Sequence, residues 1–304
     1  MNRKHVLGAR YHAYSIWLFT RSDIKDIILP SLLYSLVTLP SLPPVFSITT
    51  PPLSLFQRLP LALFWTWINL VPITIDNQRQ PDSIAEDAIN KPWRTLPSRR
   101  MTPRDATTLM IFLYPLALLS SLFTGGFLQS LSLIVLSFWY NNLRGAQDNL
   151  MTRQVLNAAG FNCFATGALT VLVGRASPLT TGPFLTWQLM LIAVVATTVQ
   201  TQDMYDQEGD AERGRHTVPL DLGDGFARWT VAVAVVFWSV LCPCFVGGHV
   251  LGFFLTGCLG FVVALRCLLL RSVAADKRSY IVWNVWLVSV YSLPLLAAVS
   301  EGSI

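Results

Sequence analysis

The chain has 304 residues, 53% hydrophobic and 13% charged, about half the charged share of an ordinary globular protein. Its mean hydropathy of +0.49 means more apolar residues than a soluble core can bury, which excludes a soluble enzyme, a secreted disulfide scaffold and a disordered tail. The 22 Lys and Arg exceed the 17 Asp and Glu, for a net charge of +5. No basic helix or aromatic RNA platform accompanies that excess, so nucleic acid is not an expected partner and basic membrane loops explain it.

The first 26 residues carry seven charges and no apolar core, so no cleavable signal peptide is expected. Nine apolar runs follow, at 27–42, 55–75, 107–124, 127–143, 155–174, 184–205, 229–247, 250–270 and 280–299. Several reach about 17 to 22 residues, enough to cross a ~30 Å hydrocarbon layer. Gly125-Gly126 splits the third run from the fourth, and Gly247-Gly248 the seventh from the eighth, because glycine permits a sharp turn. Prolines such as Pro60, Pro72 and Pro115 fall inside spans, which bundles tolerate when neighbouring helices satisfy the freed backbone groups. The predicted fold class is all-α: one domain over 1–304, a polytopic membrane protein with nine transmembrane helices bundled around a central cavity and cytosolic cap loops at 76–106 and 203–228.

Charge bias orients this bundle. With the N-terminus inside, 20 of the 22 basic residues fall in the tail, in 76–106, 144–154, 206–228 and 271–279, or at adjoining helix ends; only Arg58 and Arg175 fall opposite. The positive-inside rule then turns the N-terminus and every long loop to the cytoplasm, and the helices suit an endoplasmic reticulum membrane. All five cysteines lie in apolar stretches and the four histidines are scattered, so neither a disulfide framework nor a zinc site is expected. No protein partner is evident beyond the lipid bilayer.

The two longest inside loops carry the chemistry. After span two come Asp76, Asn77, Asp82, Glu86 and Asp87, trailed by Lys91, Arg94, Arg99 and Arg100; after span six come Asp203, Asp206 and Asp210, trailed by Arg213 and Arg215. Setting Asp87 against Asp210 aligns two Asp-Ala starts and, with one residue of slippage, two Thr-apolar-Pro endings, a weak internal repeat of the kind that builds membrane cavities from two halves. On a continuing helix Asp203, Asp206 and Asp210 share a face, as do Asp82 and Glu86. Carboxylates crowded this way repel, and Mg²⁺ resolves the repulsion by binding one or two of them together with substrate phosphate oxygens. Lys91, Arg94, Arg213 and Arg215 are placed to hold the same phosphates through charge-assisted hydrogen bonds. Asp105, Asp148, Asp221 and Asp224 lack the spacing and read as surface.

These residues resemble the UbiA superfamily of intramembrane prenyltransferases. The pattern Asp203-x-x-Asp206-x-x-x-Asp210 and the run Asn90-Lys91-Pro92-x-Arg94-x-Leu96-Pro97-Ser98 carry the resemblance, which covers nearly the whole chain. The first acidic motif departs from the transfer enzymes: it reads Asn77-Gln78-x-x-x-Asp82-x-x-x-Glu86-Asp87, similar to fungal UbiA-type terpene cyclases. Asp82, Glu86 and Asp87 are all metal candidates, with Asp82 and Glu86 favoured and Asp87 expected to pair with a loop arginine.

The resemblance implies a class I terpene cyclase. It would ionise farnesyl or geranylgeranyl diphosphate with Mg²⁺, cyclise the cation and release diphosphate. The alternative is a prenyltransferase moving the same group to an aromatic or other lipophilic acceptor; a transporter or scaffold would not explain two acidic clusters with basic companions. Ten aromatics within the spans are candidate cavity walls: Trp65, Trp67, Trp139, Tyr140, Phe161, Phe164, Trp187, Trp283, Trp286 and Tyr291. About a third are expected to face the cavity, the rest filling bundle cores and interfacial belts. Asn77, Tyr140, Trp187 and Tyr205 are expected to contact substrate, and Arg144 and Asn157 to reach its diphosphate.

Overall fold

The computed structural model describes residues 8–50, 55–174, 179–300 and 302, and every regular element among them is helical. Arg175 therefore lies outside the described residues. In chain order, α1 (Ala9–Thr20) leads through a turn at Arg21–Ile24 into α2 (Ile28–Thr38), which continues past Pro40 as α3 (Leu42–Phe46). Next come α4 (Leu55–Gln78), the short α5 (Pro81–Asn90), α6 (Pro103–Thr124), α7 (Phe127–Asn141), α8 (Leu150–Val173) and α9 (Gly182–Thr198). Two short helices follow, α10 (Gln207–Glu212) and α11 (Val218–Asp221), then α12 (Asp224–Phe245), α13 (Val250–Leu269), α14 (Val273–Tyr291) and α15 (Leu293–Ser300).

Local chemistry sets these limits. Thr102 accepts a hydrogen bond from the Asp105 amide at the start of α6, Asn149 from that of Thr152 at α8 and Ser272 from that of Ala275 at α14, each satisfying an orphan donor of a helix N-terminus. Both glycine pairs turn where expected, with φ of 103° and 75° at Gly125-Gly126 and 104° and 71° at Gly247-Gly248. Side chains strain that left-handed region, and glycine does not.

Eight helical stretches among the described residues are long and apolar enough to cross a membrane, one fewer than expected. The run not among them is 127–143, whose helix α7 has 15 residues, about 22 Å at 1.5 Å per residue. The last stretch is longer than expected because α14 and α15 join end to end across Ser292. Successive neighbours pack in the order α2, α4, α6, α7, α8, α9, α12, α13, α14 and back to α2, and α2 also meets α8. Small hydroxyls bond some of these helices together: Ser239 on α12 and Thr256 on α13 each donate to the other's carbonyl, and the Trp286 indole donates to Ser239. Such bonds substitute for a hydrophobic drive that lipid does not provide.

One buried charge ties the start of α12, the end of α13 and the start of α14. The Arg228 guanidinium, 1% exposed, donates to both oxygens of Asp224 at 2.8–2.9 Å, to both of Asp276 at 2.7–2.9 Å, and to the carbonyls of Cys267 and Leu270. Asp224, read from the sequence as surface, is half-buried in this pair. Arg228→Leu would strand Asp276, itself 2% exposed, and such a broken pair costs about 3–5 kcal/mol. A thermal unfolding series in detergent should show Arg228→Leu well below the parent, with Arg228→Lys recovering only part because an ammonium cannot fork onto two carboxylates.

Candidate active site

At the end of the bundle where α5, α10 and the α1–α2 turn meet, a cavity of about 590 Å³ opens. Eight cationic side chains and six carboxylates line it, from Arg21, Asp23, Lys25 and Asp26 before α2 to Lys277 on α14. Leu70, Leu133, Leu136, Phe161 and Phe164 line it too, so the cavity combines charged groups with apolar wall.

The two motif loops converge here. A Cβ added to Gly209 on α10 would meet the Asn90 side-chain amide at 2.8 Å, Asp206 Oδ1 at 3.3 Å and Glu86 Cγ at 3.4 Å, so the bare glycine lets α5 and α10 approach closely. Arg213 donates to Glu86 at 2.9 Å, while Arg215 lies 2.6 Å from Asp210 and 3.9 Å from Glu86, linking carboxylates of both motifs. Arg94 donates to both oxygens of Asp87 at 2.8–2.9 Å. Arg153 on α8 donates to Asp203 at 2.7 Å and to the Tyr140 hydroxyl at 3.0 Å. Asp206, half-buried on the cavity wall, is in no ion pair among the described residues; its nearest polar partner is Asn90 at 3.5 Å.

The helix expected to carry Asp203, Asp206 and Asp210 on one face is broken. Asp203–Tyr205 is a tight 3₁₀ turn, and Asp206 is the hinge into α10, with φ −114° and ψ 14°. The three carboxylates therefore aim at different partners: Asp203 at Arg153, Asp206 into the cavity and Asp210 behind Arg215.

Other expected residues divide clearly. Asn77, Glu86, Asp87, Lys91, Arg94, Tyr140, Asn157, Tyr205, Arg213 and Arg215 line the cavity together with Asp203 and Asp206. Asp82 does not: it is exposed in the first turn of α5, where its charge favours the helix N-terminus. Arg144 is exposed and pairs with Asp148 at 3.0 Å. Trp187 is fully buried in the core with its ring stacked 6.0 Å from Phe245, away from the cavity. Of the ten candidate wall aromatics, Tyr140, Phe161 and Phe164 line the cavity.

Sequence reasoning missed Arg153, Asp23, Asp26, Lys277 and Tyr280, all lining residues. For Arg153 a signal existed. Arg153, Leu156, Asn157, Gly160, Phe161 and Phe164 recur at 0, 3, 4, 7, 8 and 11 along α8, one helix face.

The donor set fits an anion bound jointly with a hard cation. Nε of Arg94, Arg153, Arg213 and Arg215 is buried with no hydrogen-bond partner, as is Oδ2 of Asp210, leaving capacity for oxygen-rich ligands on one side and a cation on the other. Burial, with Arg215 beside it, pulls the Arg213 guanidinium below its ordinary value, a penalty that a bound anion would offset. No group of three or more His, Cys, Asp or Glu among the described residues could hold a metal ion unaided. Mg²⁺ needs only one or two carboxylates when phosphate oxygens complete its shell.

The UbiA prenyltransferase family matches residues 82–288, and the chain belongs to that family. It is 30% identical over 226 residues to the fumagillin beta-trans-bergamotene synthase of Aspergillus fumigatus, covering 74% of this chain and 72% of that one. It is also 24% identical over 299 residues to the somaliensene A/B synthase of Streptomyces somaliensis, covering 93% and 91%. Its fold matches that of a UbiA homolog from Archaeoglobus fulgidus bound to GPP and Mg²⁺, with a TM-score of 0.60 over 91% of this chain and 99% of that one, at 13% identity.

Burial pushes the Asp26 carboxyl up to about 7, against the pull of Lys25 and helped by Asp23. Between the ordinary value of 3.8 and about 7, the folded chain holds a proton that the unfolded chain has lost, so stability falls as pH rises through that window. Asp26→Asn cannot ionise. Its unfolding temperature should exceed the parent's above pH 7, and the gap should close as the pH is lowered toward 4.

Proposed function

We propose that this chain is a membrane-embedded class I terpene cyclase that ionises farnesyl or geranylgeranyl diphosphate and closes the resulting cation into a ring, releasing diphosphate. The carrying observation is the convergence of both motifs, carboxylates and guanidiniums together, on one cavity that also has an apolar wall. The synthases of Aspergillus fumigatus and Streptomyces somaliensis among its relatives support the reading. The Mg²⁺ held by the Archaeoglobus fulgidus homolog supports the cofactor.

Arg94, Arg153, Arg213, Arg215 and Lys91 bind the diphosphate and stabilise charge as it accumulates on the leaving group. Asp206, with Asp203 and Asp210 of the same motif and Glu86 of the first motif across the gap, would hold the metal. Bound there, Mg²⁺ supplies Lewis-acid neutralisation of the departing diphosphate. Tyr140 holds the Arg153 fork in place through its hydroxyl. The hydrocarbon lies against Leu133, Phe161 and Phe164, which exclude water; aromatic faces can stabilise a desolvated cation by ~2 kcal/mol each. The basic bias of the loops supports a mouth on the cytosolic side of the membrane, most simply that of the endoplasmic reticulum.

The second reading, a prenyltransferase, is favoured by the family to which the chain belongs. One experiment separates the two. Membranes containing the protein are incubated with Mg²⁺ and each prenyl diphosphate alone, and the extract is analysed by gas chromatography–mass spectrometry. A cyclic hydrocarbon without acceptor is expected; no product alone, but transfer once an aromatic acceptor is added, would overturn the cyclase. Asp206→Ala and Asp210→Ala should each abolish diphosphate release, as should chelation of Mg²⁺. Full release by both variants would overturn the metal assignment.

A further inference from the structure

Two glycines on α8, seven residues apart, play opposite parts. A Cβ at Gly167 would collide with the edge of the six-membered ring of Trp65, and one at Gly126 would come within 2.9 Å of the same indole. Trp65 fills that notch completely: it is 0% exposed, and its Nε1 donates to Ser121 Oγ at 2.8 Å. It packs in one cluster with Leu70, Leu133 and Phe164, and those three also line the cavity. Trp65 is therefore the backing of the cavity's apolar wall.

Gly160 has no such occupant. A Cβ there would meet no atom within 4 Å, its backbone is ordinary right-handed helix, and it lines the cavity. Neither packing nor backbone conformation requires glycine, which costs a helix interior roughly 0.5–1 kcal/mol relative to alanine. Gly160 lies seven residues along α8 from Arg153, roughly 10 Å at 1.5 Å per residue, and Phe164 roughly 16 Å. The bare position thus widens the cavity partway between a guanidinium of the charged mouth and the residues backed by Trp65.

We infer that Gly160 and Trp65 determine which prenyl chain this cavity accepts: Gly160 gives the hydrocarbon room to fold back, and Trp65 props the wall of Leu70, Leu133 and Phe164 that stops its far end. This rests on the proposed prenyl diphosphate chemistry and adds the substrate dimension to it. A side chain at position 160 would occupy space needed by a folded long chain and leave a short one undisturbed. Removing the indole would leave space behind that wall, into which Leu133 and Phe164 can give way.

The test uses the full-length protein in detergent with geranyl, farnesyl and geranylgeranyl diphosphates. Diphosphate release is measured, together with thermal stabilisation by the unreactive thiolo-analogue of each. Gly160→Leu should lower kcat/KM for the longest chain the parent accepts by about tenfold to a hundredfold, the scale on which a filled apolar pocket discriminates. Geranyl diphosphate should lose clearly less than that longest chain, and Gly160→Ala should fall between. Trp65→Ala should shift preference toward a longer chain; Trp65→Phe should do so weakly and guards against a failure of the alanine variant to fold. Stabilisation by the analogues should follow the same order, independently of turnover. Equal losses at all three chain lengths, or unchanged selectivity in Gly160→Leu, would overturn the inference while leaving the prenyl diphosphate reading intact. A parent that neither binds nor turns over any of the three overturns that reading and the inference with it.

Discussion

Charges of both signs must be kept at the end of an apolar bundle, where neither can be left alone. An isolated ion in a low-dielectric interior costs several kcal/mol, so it survives there only with a partner and added hydrogen bonds. The cavity mouth meets this for four carboxylates by pairing each with an arginine: Asp87 with Arg94, Glu86 with Arg213 and Arg215, Asp210 with Arg215, Asp203 with Arg153. The same pairs hold a set of groups that a metal-bound diphosphate can take over. Guanidiniums whose Nε remains unbonded can turn toward phosphate oxygens, and carboxylates so released can turn toward a cation. Pairing that keeps the ligand-free protein folded is also pre-organisation of both halves of the ligand's field.

A second set of contacts holds α10 in place. Gln207, next to Asp206, donates to the Met204 carbonyl and to Asp224 at 3.0 Å, and Asp224 is held by Arg228, which is held in turn by Asp276 on α14. The aspartate facing the cavity is thereby connected to the packing of α12, α13 and α14. A flexible loop could not keep Asp206 opposite Glu86; a chain of charge-assisted bonds ending in a buried salt bridge can.

The N-terminal segment also contributes to the cavity wall. Arg21 stacks on Trp93 at 4.6 Å and Lys25 sits over Tyr280 at 5.5 Å, while Gln78 donates to the Phe19 carbonyl. These contacts bring Asp23 and Asp26 to the cavity although they precede α2 by only a few residues and belong to neither motif. Aromatic rings on this side, Trp93, Tyr205 and Tyr280, together with Tyr140, Phe161 and Phe164, line a cavity suited to a cation that must be kept from water.

What the amino-acid order alone determined was local and additive: the helical class, nearly all of the spans, the glycine turns, and two loops in which carboxylates precede arginines. Hydropathy, φ preference and charge spacing are properties of short stretches, and they survive whatever those stretches pack against. The rotation of each helix and the partner across each gap are not local. Only the tertiary structure set Asp82 outside and Glu86 inside on the same short helix, drew Arg153 from α8 to Asp203, put Arg144 on the surface, buried Trp187 away from the cavity, and broke the expected run from Asp203 to Asp210 into a tight turn. It also set the length of α7, a 15-residue helix between Gly126 and Asn142 that packs on α8. Apolar residues encircle membrane helices, so the pattern that shows which face of a soluble helix is inside fades here; contact with neighbouring helices decides it instead.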